Sequence, residues 1–156
     1  SAASDVYKRQ PIDIYDEPVN RFVADFIGES NIVHGTMVED FVVNIYGQNF
    51  DCVDMGIKEN KKVEVVIRPE DISLVSQNDG LFKAKVDSML FRGVHYEICC
   101  KDRKGYEWVI QSTKKANVGS EVGLYFEPEA IHIMVPGETE EEFDKRIESY
   151  EDYHHA

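Results

Sequence analysis

The chain has 156 residues, 42% of them hydrophobic, with 17 basic against 30 acidic residues and a net charge of −13. That length holds one ordinary domain, or two small β units sharing a core, and the apolar content excludes wholesale disorder. The acidity argues against binders of DNA, RNA and anionic lipid, whose affinity rests on positive charge, and no apolar run approaches the roughly 18–20 residues of a membrane helix.

The first ten residues, Ser1 to Gln10, are polar and without hydrophobic period, and read as an unstructured leader foreign to the domain. Phe22, Val23, Phe26 and Ile27 then recur at helical spacing, with Gly28 as the stop, so a short helix is predicted. From Asn31 the period becomes two. Phe41, Val43 and Ile45 form one predicted strand face, and Val63, Val65 and Ile67 another. Phe82, Ala84, Val86, Ser88 and Leu90 predict a longer strand, followed by Val94 to Cys100 and by Tyr106, Trp108 and Ile110. Val122, Leu124 and Phe126, then Ile131, Ile133 and Val135, complete the set. Turn signals separate them at 47–49, 78–80, 101–105, 117–120 and 127–129. Short strands at this spacing predict an all-β barrel or sandwich and disfavour a doubly wound nucleotide-binding sheet. The end returns to helix: Thr139 and Glu142 fit a capping box, and Glu138 to Asp152 holds eight acids against Lys145 and Arg146.

The missing motifs narrow the function. There is no phosphate-cradling GxxxxGK[ST], no GxSxG and no HExxH, and no nucleophile–base pair is evident. Cys52, Cys99 and Cys100 form no CxxC, and adjacent cysteines on a strand point to opposite faces, which predicts free thiols in a reducing, cytosolic compartment. His34, His95 and His132 lie in or beside strands and read as hydrogen-bonded or surface residues, so no metal site is predicted. Trp108, on an apolar face, reads first as core and second as a stacking surface for a ligand. Pro69 ends a ladder because it lacks an N–H, which places Arg68, Glu70 and Asp71 at a strand exit.

Residues 11–32 (PIDIYDEPVNRFVADFIGESNI) resemble the junction in importer ATPase subunits where the nucleotide-binding domain gives way to its regulatory domain. Residues 66–72 (VIRPEDI) resemble the signature of the transport-associated OB (TOBE) domain, and Phe91 to Glu97, Gly119 with Val122 to Phe126, and Pro128 to Met134 resemble its later strands. FIGESNI, LFRGVHYEI and EWVIQST are most similar to the spermidine/putrescine-import ATP-binding subunits of ABC transporters. The resemblance implies an OB-fold-like barrel with a small additional β subdomain, flanked by the short N-terminal helix and the acidic C-terminal helix. It divides the chain into a leader (1–10), the end of the ATPase domain and its linker helix (11–30), the regulatory domain (31–136) and an acidic tail (137–156). It implies a regulatory and dimerisation role, non-catalytic in isolation. This fragment would hold no cofactor, ATP and magnesium belonging to the ATPase domain of the same subunit. The implied partners are a second copy across a twofold axis, that ATPase domain and, indirectly, the permease subunits. The implied location is the cytoplasmic face of the membrane.

The candidate interface is Arg68, Glu70, Gly93, His95 and Tyr96. Polyamines are flexible polycations, and a site for one needs spaced carboxylates with an aromatic wall. Glu70, Asp71, Asp87, Glu97 and Glu107, with Tyr96 and Trp108, form the candidate effector patch. Two other classes compete: a free-standing OB module for oligonucleotides, which the charge opposes, and an oxyanion-sensing OB domain of a different importer. For the latter, Lys58 to Lys62 and Lys101 to Lys104 are the basic-leaning segments.

Overall fold

The structure, a computed structural model, describes residues 30–138 together with Glu141, Glu142, Lys145 and Arg146. The predicted leader, the predicted helix around Phe22 to Ile27 and the capping Thr139 lie outside the described residues. Ten strands follow in chain order: β1 (Asn31–Glu39), β2 (Val42–Ile45), β3 (Gln48–Asp51), β4 (Lys61–Ile67), β5 (Ser73–Val75), β6 (Phe82–Phe91), β7 (Tyr96–Asp102), β8 (Glu107–Ser112), β9 (Glu121–Tyr125) and β10 (His132–Met134). They pair antiparallel in two five-stranded sheets, ordered β10-β4-β1-β2-β3 and β5-β9-β6-β7-β8. The architecture is the expected all-β, OB-like one.

Both sheets feed one core. Val33, Val43, Val65 and Ile133 meet Phe82, Ile98, Trp108 and Phe126 in a single cluster. The Trp108 indole is fully buried, stacked near-parallel to Phe82 and Phe126 at 5.7 and 6.2 Å between ring centres. Cys100 joins this core while Cys99 packs on Val109 on the opposite face, and all three cysteines are free. Pro69–Asp71 and Pro128–Ala130 form 3-10 turns, each led by a proline that donates nothing to a ladder.

Two strands depart from simple alternation. On β6, Val86 pairs with Cys100 but Ser88 pairs with Cys99, so Asp87 is an extra, bulged residue. The bulge moves every later side chain to the other face. Met89, not Ser88 or Leu90, therefore packs on the core, and the expected single face from Phe82 to Leu90 breaks after Val86. Phe41, expected in a strand, instead takes the turn between β1 and β2 with φ 68°, and its N–H donates to the Asp54 carbonyl at 2.9 Å. The next turn sits one residue earlier than the glutamine–asparagine signal suggests. Tyr46 and Gly47 both have positive φ (54° and 80°), the geometry of a tight hairpin, so Gln48 and Asn49 begin β3.

Two side chains fasten the sheets together. Asn31 opens β1 and is buried. Its amide accepts from the Val109 N–H at 2.7 Å and donates to the Val109 and Ile67 carbonyls at 2.8 and 3.2 Å. One side chain thus occupies the free edge of β8 as another strand would. Asp102, at the end of β7, accepts from the Lys104 and Tyr106 N–H groups on one oxygen. On the other it accepts from the Trp108 indole and the Tyr46 hydroxyl, both at 2.9 Å. Tyr46 belongs to the first sheet's hairpin and Trp108 to the second sheet, so this carboxylate spans them.

Arg146 closes the barrel from the tail. It is buried, and its guanidinium donates to both Glu138 oxygens at 3.0 Å, to Asp54 at 2.7 Å and to the Ile133 carbonyl at 3.0 Å. Burial pushes the Asp54 carboxyl up to about 6, against an opposing pull from Arg146.

Asn31→Ala should lower the unfolding free energy by about 2–4 kcal/mol in urea titrations, because it orphans buried backbone groups on Val109 and Ile67. Arg146→Ala should cost about 3 kcal/mol near neutrality, since it leaves two buried carboxylates without their cation. Because folding raises the Asp54 carboxyl, its stabilising contribution is complete below about pH 4 and is lost as pH rises through 6. Thermal melts across pH 4–7 should show that decline in the wild type and a flatter profile in Asp54→Asn. The Arg146→Ala penalty should shrink toward acid pH.

Candidate ligand and contact surfaces

The alternation of β6, β7 and β8 decides what the second sheet shows to solvent. Tyr96, Ile98, Cys100 and Asp102 point inward along β7, leaving Glu97, Cys99 and Lys101 on the other face, where Cys99 is itself buried against Val109. Cross-strand register places Lys85 opposite Lys101 and Lys101 opposite Glu107. The outer face therefore carries both acids and bases, unlike the acid-rich surface that composition suggests.

Of the candidate effector residues, Asp87, Glu97 and Glu107 share this outer face. After burial, the next forces raising the Cys99 thiol are the charges of these three carboxylates. They do not converge tightly: Glu97 sits opposite Gln111, four residues along β8 from Glu107, a separation of about 13 Å at strand spacing. Glu97 already binds Arg92 at 3.2 Å, and Asp71 binds Arg68 at 3.2 Å. Glu70 and Asp71 lie on the 3-10 turn after β4, which packs against β8. The expected aromatic wall is absent from that face. Trp108 belongs wholly to the core, which corrects its placement in a ligand patch, and Tyr96 points to the opposite side of β7 from Glu97.

The candidate interface residues fall in two places. Glu70 lies in the 3-10 turn and Arg68 just before it, where Arg68 lies near enough to His132 to help burial lower that imidazole's pKa. Gly93, His95 and Tyr96 form the tip of the β6–β7 hairpin, closed by the Arg92 N–H donating to the His95 carbonyl at 2.8 Å. β9 pairs with β6 only from Phe82 to Lys85. Farther along, the 116–120 loop takes over: Val86 bonds Ser120 and Gly119, and the Ala116 N–H donates to the Met89 sulfur. The hairpin therefore runs on past the end of β9, while β8 stays paired with β7 as far as Tyr96 opposite Ser112. Its tip is apolar, with Leu90 53%, Phe91 57% and Val94 83% exposed, and Phe91 and Tyr96 in ring contact at 5.1 Å. Sequence inspection picked out the glycine, histidine and tyrosine of this tip but not its exposed hydrophobics, because it assigned Leu90 and Val94 to strand faces.

Two adjoining cavities open where β6 meets the β7–β8 turn. One, of about 300 Å³, is lined by Lys83, Lys85, Lys101 and Arg103 together with Gln77, Asp87 and Glu121. The other, of about 280 Å³, shares Lys83, Asp102 and Arg103 and adds Tyr46, Gly80, Leu81, Phe82 and Lys104. The wall of the second depends on a close backbone approach. A Cβ on Gly123 would stand 2.5 Å from the Ser76 carbonyl oxygen and 2.8 Å from the Gly80 Cα, so glycine is required for the 76–80 turn to lie on β9. Among the described residues, no helix is long and apolar enough to cross a membrane.

The TOBE domain family matches residues 65–134, from the middle of β4 to the end of β10, and a TOBE domain is present there. Among solved structures, the fold is similar to the cytoplasmic molybdate-binding protein ModG, solved with molybdate bound. The TM-score is 0.58 at 14% sequence identity, over 68% of this chain and 96% of ModG. At that identity the likeness speaks to the fold.

Proposed function

We propose that this chain is the regulatory domain of an ABC-importer ATP-binding subunit, non-catalytic by itself, which pairs with a second copy of itself through the β6–β7 hairpin. The observation that carries this is the apolar hairpin tip within the TOBE match: Leu90, Phe91 and Val94 stand exposed at the end of the paired strands β6, β7 and β8. Exposed apolar side chains at the end of a hairpin, rimmed by Arg92, His95 and Glu97, suit a self-complementary contact with a polar edge. In such a subunit the domain holds two ATPase halves together, in the cytoplasm beside the permease. ATP and magnesium are the business of the ATPase domain. Sedimentation velocity should show a concentration-dependent monomer–dimer equilibrium, weakened roughly tenfold or more by Phe91→Asp or Val94→Asp. A wild-type chain that stays monomeric, or variants that pair as well as it does, would overturn the proposal.

For the parent importer's solute and the domain's effector we infer a polyamine. The support is the likeness of residues 26–32, 90–98 and 107–113 to polyamine-import subunits, and the outward Asp87 and Glu107, neither of which has an ion-pair partner among the described residues. A second solute class, an oxyanion, is favoured by the likeness to ModG, which binds molybdate. Calorimetry separates them. Spermidine at physiological salt should bind more tightly than magnesium at matched ionic strength. Equal binding of the two removes the polyamine, and saturable molybdate binding in its place selects the oxyanion.

A further inference from the structure

The chain carries far more acid than base, yet four cations gather around one cavity. Lys83 and Lys85 come from β6, Lys101 from β7 and Arg103 from the turn after it. All four are exposed, and none forms an ion pair within 4.0 Å among the described residues. Lys85 and Lys101 stand directly opposite one another, a like-charge pairing that weakens a sheet. Acids that could neutralise them lie in register, Glu121 beside Lys85 and Glu107 beside Lys101. Neither does so, and Glu121 instead accepts a hydrogen bond from Gln77. The fold thus keeps a repulsive cationic row open to solvent.

The neighbouring cavity is different in character. It shares Lys83 and Arg103 but is walled by Tyr46, Leu81 and Phe82, which present ring and aliphatic surface. On a strand ladder, Lys83, Lys85 and Lys101 are spaced by about 5–7 Å, wide enough to address separate anionic groups. A single tetrahedral oxyanion would fill only a small part of the combined space of about 300 and 280 Å³. A long polyanion would have to run on over an acidic surface, which repels it beyond the cleft.

From this arrangement we propose that the cleft binds a small organic phosphate ester carrying at least two phosphate groups. The phosphates sit among Lys83, Lys85, Lys101 and Arg103, and the organic body sits against Tyr46, Leu81 and Phe82. This site is distinct from the hairpin tip, so it stands or falls without self-association; Asp87, considered above for a polyamine, is one of its lining residues.

The test uses the full chain with ADP, chelator and no metal, followed by amide chemical shifts and calorimetry. ADP should shift the amides of Lys83, Lys85, Lys101 and Arg103, and its affinity should fall as salt rises. Lys85→Gln combined with Arg103→Gln should weaken it roughly tenfold. Lys61→Gln combined with Lys62→Gln, two exposed lysines on β4 away from the cleft, should leave it unchanged. Thermal melts of both double variants confirm that each is folded. No ADP binding, or shifts confined to other surfaces, overturns the site. Inorganic phosphate or molybdate binding as tightly as ADP overturns the requirement for more than one phosphate. Pyrophosphate matching ADP overturns the role of the apolar wall. None of these outcomes bears on dimer formation, which sedimentation reports separately.

Discussion

The Asp102 carboxylate holds the two sheets in register with each other. A buried charge is costly unless donors surround it, and this one receives four: two turn N–H groups, an indole N–H and a phenol O–H. An ionised carboxylate is acceptor-only, with lone pairs enough for all four, and no neutral side chain of that length offers the same. Its demand for donors explains several oddities at once. Tyr46 adopts a left-handed backbone that a tyrosine rarely takes, and Asp102 fills the coordination of its hydroxyl. Burial and the nearby negative charge then push the Tyr46 phenol well above its ordinary range. The same carboxylate tightens the 102–106 turn and so aims Arg103 and Lys104 outward at the cleft.

The fold was legible where a residue's local pattern and its tertiary setting agree. Val65 to Ile67 form a continuous apolar run, and in the structure β4 is an interior strand, with β10 and β1 on either side and buried residues on both faces. Trp108 read as core, and Cys99 and Cys100 split between faces as their adjacency requires. What escaped was every feature decided by pairing rather than by pattern. A one-residue bulge leaves no mark in composition, so Ser88 and Leu90 were assigned to the wrong side. Phe41 looks like a strand residue until the contact between its N–H and Asp54 recruits it to a turn. Asn31 and Asp102 resemble ordinary boundary polars, because their partners lie 78 residues away in one case and 56 in the other.

The surfaces were harder to foresee than the core for a related reason. Net charge describes the whole polymer, while recognition depends on the few groups that a ladder brings into line. Eight acids crowd into Glu138 to Asp152, whereas Lys83, Lys85 and Lys101 are collected by two adjacent strands into one row. Even in the tail, acidity hides an exception: Arg146, one of only two bases there, is among the buried charges of the structure. The aromatic residues followed the opposite course. Trp108 was claimed by the interior, which stripped the outer acids of the flat wall that a flexible polycation would want.

The extra residue at Asp87 acts as a phase shifter for the arm beyond it. Interior packing up to Val86 is insulated from it, while the outward display of Leu90, Phe91 and Val94 depends on it. Evolution could therefore rewrite the projecting tip by gaining or losing one codon at this point, swapping which side chains greet a neighbour without touching the barrel beneath. Relatives that share the barrel but differ in length here would be expected to choose different companions.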